Sequence, residues 1–178
     1  MTARVDLADR LNGRVADLVA LFAAIERTRM AGVPVLNPAL RVEAVGFDIV
    51  AGDEGDAAAG LGILITPWFM NLVRLPLQRD DDAAVGRTQM HQLNGRALEF
   101  LGAHEPAFGA FAACSLFSPV FEFSDQASAR ATALAVLTQL RAEPAPSVVA
   151  LEAAVAAEAS PARRSFLFGR SAVGAVRP

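Results

Sequence analysis

The stretch LGILIT, residues 61–66, is an almost unbroken apolar run closed by Pro67. A run of strand length without polar alternation suits a central strand with both faces covered. Pro67 has no N–H to give to a ladder, so the strand ends or bulges there. Such a strand needs neighbours on both edges, and the flanking sequence supplies them. LRVEAVGFDIV (40–50) alternates, placing Val45, Phe47 and Ile49 on one face at period two. WFMNLVRLPL (68–77) resumes extended chain. RTQMHQL and RALEFLG flank Asn94-Gly95, the strongest short hairpin signal present. AGDEGDAAAG (51–60) and QRDDDAAVG (78–86) are solvated turns. About five strands follow, joined by short antiparallel connections.

Helices bracket this middle. Over residues 6–29, Leu7, Leu11, Val15, Leu18, Phe22 and Ile25 recur at three- and four-residue steps. Gly32 and Pro34 stop that helix, and AGVPVLNPAL (31–40) is a connector punctuated by proline. Residues 104–125 read as buried, irregular or short extended chain. Ser124 or Asp125 caps a second helix over 126–141, with Leu134, Leu137 and Leu140 inward. A third, alanine-rich helix covers 147–159 and ends at Ser160-Pro161. The simplest architecture is α+β: an antiparallel sheet with the N-terminal and C-terminal helices packed on one face. Residues 1–161 form one domain and 162–178 a tail.

Composition excludes several classes. The chain has 178 residues, 53% of them hydrophobic and 20% charged, so it is globular. A net charge of −3 gives no field for nucleic acid or a membrane surface. No apolar run is long enough for membrane insertion. The start of the chain carries Asp6, Arg10, Arg14 and Asp17 at intervals and has no signal-peptide stretch, so a cytoplasmic location is expected. The single cysteine, Cys114, rules out an internal disulfide and a cysteine-based zinc knuckle, and it fits a reducing compartment.

Enzyme signatures such as G-x-S-x-G, a Walker loop, G-x-G-x-x-G and H-E-x-x-H are absent. Cys114 with His104 offers a thiol dyad, and His91, His104 and Glu105 a weak metal site. Packing of Cys114 as a small hydrophobe outweighs both, so no catalytic residue, metal or cofactor is expected. Two segments compete between core and groove. Trp68, Phe69, Met70 and Leu72 either pack internally or form one wall of a groove for an extended apolar peptide. Cys114, Leu116, Phe117 and Phe123 read in the same two ways, as buried packing or a second wall. Carboxylates that could meet arginine are Asp80, Asp81 and Asp82 in one loop, Glu99 and Glu105 on the sheet, and Glu122 with Asp125, the last two standing out because they flank Phe123.

Arginine matters because the tail reads ARRSFLFGR. Arg163, Arg164, Phe166, Leu167 and Phe168 match R-R-x-F-L-x, the pattern of a twin-arginine export signal, but near the wrong end of the chain. Three apolar residues together are awkward in solvent, so the segment is expected to dock. In cis that is autoinhibition. In trans it links protomers. A third reading makes the tail a decoy for the export machinery.

NPALRVEAVGF (37–47), LITPWFMNLVRLPL (64–77), ACSLFSPVFEFSDQASARATA (113–133) and RRSFLFGR (163–170) resemble the HybE-type [NiFe]-hydrogenase assembly chaperones. The resemblance spans about residues 10–170 and carries nothing over within 78–112. It implies an accessory protein that holds the hydrogenase small-subunit precursor, with its twin-arginine signal, until maturation is complete. The large subunit is a further partner. Some relatives add a cysteine-rich, rubredoxin-like segment. This chain, with Cys114 alone, does not have it. The alternative class is a small cysteine-dependent enzyme or redox factor using Cys114.

Overall fold

The computed structural model describes residues 2–52, 57–79 and 85–142. They belong to the first of two compact units, Met1–Glu143. The second, Pro144–Pro178, lies outside the described residues, and with it the stretches expected as a third helix (147–159) and as a tail (162–178).

The order of elements is α1 (Thr2–Arg27), β1 (Glu43–Val50), β2 (Ala59–Ile65), β3 (Met70–Pro76), β4 (Thr88–Leu93), β5 (Arg96–Glu105), β6 (Gly109–Phe117) and α2 (Gln126–Arg141). The strands form one sheet of six, in the order β1-β2-β3-β6-β5-β4. Every neighbouring pair is antiparallel. The sixth strand comes from the stretch expected to be irregular or short extended chain: β6 inserts between β3 and β5. The Asn94-Gly95 hairpin joins β4 to β5 as expected. Both residues have positive φ, 47° and 74°, the conformation a two-residue turn needs to match strand twist.

All seven residues of β2 are buried, which is the covered central strand that LGILIT implied. Cover comes from two sides. Ile63 and Ile65 pack with Ala129, Ala133, Leu137 and Leu140 of α2. Leu64 packs with Leu18 and Phe22 of α1. The helices therefore lie on opposite faces, which corrects the one-face arrangement. The reason is the strand itself: Leu61, Ile63 and Ile65 face α2, while Leu64, beside Gly60 and Gly62, faces α1, so one helical layer would leave a buried face of β2 in water. Each fully buried Leu or Ile is worth about 1.5–3 kcal/mol, so neither face is dispensable.

Two further details differ from the sequence reading. Val45 and Phe47 do not share a face. The β1–β2 register shifts between Val45 and Asp48, and Gly46 sits there with φ 60°. The bulge sends Phe47 to the α1 side while Val45 stays on the α2 side. In α2 the buried stripe is Ala129, Ala133, Leu137 and Leu140, while Leu134 is 43% exposed. Alanines let the helix approach the sheet closely, and that rotation turns Leu134 outward.

The C-terminus of α2 ties the two edges of the sheet together. Asn94 Nδ2, in the β4–β5 turn, donates to the carbonyls of Leu140 and Arg141, both at 3.0 Å. Arg141 Nη2 donates to Gly46 O in β1 at 2.6 Å. The sheet thus curls around α2. At the start of the helix, Asp125 caps it by accepting from the Ser128 N–H at 2.7 Å. On the other face, Arg14 of α1 lies 3.8 Å over the Phe108 ring and donates to Pro76 O at 3.2 Å and Phe108 O at 3.0 Å.

Candidate functional site

The T-P-W-F segment between β2 and β3 is a turn held from inside. Thr66 is fully buried. Its N–H and Oγ1 both donate to Phe69 O, at 2.8 and 3.0 Å. Its Oγ1 accepts from Phe69 N at 2.9 Å and from Trp68 N at 3.3 Å. Pro67 needs no donor partner, and its carbonyl accepts from Asn37 N at 2.7 Å. The turn therefore fixes where Trp68 and Phe69 point, which is towards α1. Phe22 meets Phe69 edge-on at 5.6 Å and Trp68 at 6.3 Å, and Trp68 and Phe69 are 5.5 Å apart. Both Trp68 and Phe69 remain half-buried, so this aromatic platform keeps a surface.

Asn37 is the hub beneath it. Its side chain is buried and donates to Val120 O at 2.9 Å and Phe123 O at 2.8 Å. Its Oδ1 accepts from Ala39 N at 3.0 Å. Three separated segments of the chain are thereby joined at one residue: NPAL, T-P-W-F and S-P-V-F-E-F. Sequence reading named none of these tethers, although Asn37 before a proline was a visible sign of a special backbone position.

The ten expected groove residues do not line one groove. Met70 and Leu72 are fully buried on the α2 side, with Phe123 beside them. Cys114, Leu116 and Phe117 pack against the same core from β6, Phe117 meeting Phe123 edge-on at 5.2 Å. Trp68 and Phe69 belong to the opposite, α1 side. The turn separates them: Trp68 and Phe69 lie in the Thr66-held turn before β3 and both face α1, whereas Met70 and Leu72 are alternate residues of β3 on its α2 face. Glu122 is exposed, and Asp125 is occupied as the α2 cap. The N–H of Ser128, then its side chain, hold the Asp125 carboxyl below its ordinary value. Burial, helped by nearby Glu99, pushes the Cys114 thiol up. That is the reverse of what an activated nucleophile requires. Among the described residues no cluster of His, Cys, Asp and Glu could hold a metal ion. The tail residues Arg163, Arg164, Phe166, Leu167 and Phe168 lie outside the described residues.

A cavity of about 270 Å³ opens inside the curl of the sheet, lined by Val50, Leu61, Arg74, His91, Leu98 and Phe100. Its titratable members, Arg74 and His91, are both engaged in interactions of their own, and polar Gln92 and Asn94 also line it.

Residues 13–169 match the family described as [NiFe]-hydrogenase assembly, chaperone, HybE. Over 166 residues the chain is 48% identical to Protein HoxT of Cupriavidus necator, covering 88% of this chain and 89% of that protein. It is 39% identical over 152 residues to the hydrogenase expression/formation protein HupJ of Bradyrhizobium diazoefficiens, covering 85% of each. The solution structure of HybE from Escherichia coli has the same fold, with a TM-score of 0.51 at 22% identity over 90% of this chain and 91% of that one.

Proposed function

Because this chain belongs to the HybE family of [NiFe]-hydrogenase assembly chaperones, we propose that it holds a hydrogenase small-subunit precursor by its twin-arginine signal region. It does so in the cytoplasm, before export, and attends assembly with the large subunit. The observation that carries this reading is the half-exposed pair Trp68 and Phe69 on a turn whose polar groups Thr66 satisfies internally. Aromatic surface held rigid in advance binds apolar side chains at low entropic cost, and a signal region offers such side chains next to its arginines. Among the described residues, no helix is long and apolar enough to cross a membrane.

The chain's own residues Arg163–Phe168 have the chemistry of that ligand and act as its competitor. At high effective concentration, a tethered competitor weakens apparent affinity without touching the site's intrinsic one. The Cys114 reading has less support, since burial disfavours the thiolate.

The test is binding of a fluorescein-labelled small-subunit signal peptide to the full chain, followed by anisotropy. Saturable binding that is lost when both peptide arginines become glutamine supports the proposal. Equal binding of the two peptides refutes twin-arginine recognition. Replacing Arg163 and Arg164 by Glu in the full chain is expected to tighten binding. Unchanged affinity removes the competitor role.

A further inference from the structure

We propose that the strip of sheet beyond α1, on β6, β5 and β4, is the seat for the arginine and bulky apolar residues of an extended peptide. The inference rests on the peptide-holding function proposed above and assigns it a surface.

Among the described residues, the α1 side of the sheet is only partly covered. Its packed cluster reaches Phe111 on β6 and Ala103 on β5 and stops there. One alternation further along β5, Leu101 is 53% exposed, and on β4 Met90 is 57% exposed. Leu101 pairs with Thr88 and Met90 with Glu99, so Leu101 and Met90 are diagonal neighbours on one face, close enough to form a single apolar surface. Beside them β6 contributes only small side chains, Ala113 opposite Leu101 and Ser115 next on that face. Isolated exposed apolar residues need no explanation, but a joined pair bordering a core cluster and a small-residue floor does.

The polar groups on the strip identify the occupant. Asn71 pairs with Ser115 and follows Phe69 on the α1 side of β3. Its Oδ1 is buried and, among the described residues, has no hydrogen-bond partner. Continuing the β5–β6 register places Glu99 in line with Ser115, and Glu99 is exposed. Both groups accept hydrogen bonds. A guanidinium, which only donates, pairs directly with the exposed Glu99 carboxylate, and reaches the Asn71 amide oxygen, which is shut off from solvent, once the side chains over it part. From Asn71 to Met90 is three strand spacings, about 14 Å. That is the span of four to five extended residues, the length over which R-R-x-F-L presents both its cations and its apolar side chains.

The experiment uses the labelled signal peptide and the full chain carrying Glu99→Arg or Leu101→Asp. Both positions are exposed, so thermal unfolding is expected to stay as in the unsubstituted protein. Leu134→Asp, on the opposite side of the molecule in α2, is the control. Each strip variant is expected to weaken binding about tenfold or more, with the control within about twofold. Wild-type affinity in both strip variants, or an equal loss in the control, overturns the assignment while leaving peptide holding intact. If the unsubstituted chain binds no peptide, both the seat and the function proposed above fail.

Discussion

Asn37 Nδ2 donates to Val120 O across 83 positions of sequence, at 2.9 Å, from a fully interior position. The same amide nitrogen reaches Phe123 O, and the Asn37 backbone N–H reaches Pro67 O. This one residue holds the loop before β1, the aromatic turn after β2 and the loop before α2 in fixed relation.

Asn37→Ala is expected to destabilise the protein by about 2–5 kcal/mol, because the Val120 and Phe123 carbonyls lose their donor while remaining buried. Asn37→Asp is expected to be at least as severe, since it presents acceptor to acceptor. Urea unfolding checks both. A loss below that of a typical exposed substitution would mean that water replaces the amide.

Gly62→Ala is expected to cost roughly 1–3 kcal/mol. A Cβ there would strike the Phe47 ring and come within 2.7 Å of the Phe47 Cα, and that backbone cannot withdraw. Gly13, in α1, has nothing within 4 Å of an added Cβ, so Gly13→Ala is expected to stabilise by about 0.5–1 kcal/mol. Opposite shifts in the two denaturation midpoints are the expected result.

The capping carboxylate gives α2 a pH dependence. Asp125 is held below its ordinary value by the Ser128 N–H and, next, by the Ser128 side chain. A depressed carboxyl contributes stability that is fully present above its unfolded-state value, near pH 4, and is lost as pH falls through the lower folded-state value. Asp125→Asn keeps a cap but removes the titration. Wild-type and variant melting temperatures are expected to differ most at neutral pH and to converge in acid. A constant difference would locate the effect elsewhere.

Cys114 is expected to alkylate more slowly at pH 7 than a free thiol, with its rate rising only above the usual cysteine range. Burial, with Glu99 adding to it, favours the neutral form. Iodoacetamide labelling against pH checks this. Faster labelling than free cysteine would revive the thiol-chemistry reading.

Much of the fold was legible before any coordinates. LGILIT gave away the central strand, Asn94-Gly95 the hairpin, and Asp125 the start of α2, because each is a local rule read within a few residues. The proposed site was less legible. Trp68 and Phe69 stand out in the sequence, but nothing there tells that the Thr66-held turn aims both at α1 while Met70 and Leu72 start a strand facing α2. Leu101 and Met90 lie in a stretch with no distinctive motif and Glu99 reads only as one carboxylate among several, since the exposure of all three depends on how far α1 reaches across the sheet.

The residues by themselves determined five of the six strands, both described helices and the family, since period, turn chemistry and motif are properties of neighbours along the chain, while β6 carried no such local mark. Only the tertiary structure decided which helix covers which face, that the Gly46 bulge parts Val45 from Phe47, and how far across the sheet the described helices reach. Those outcomes depend on contacts between segments tens of residues apart. Many pairings of the same elements satisfy local rules equally well, and the choice among them falls to packing on both faces of β2.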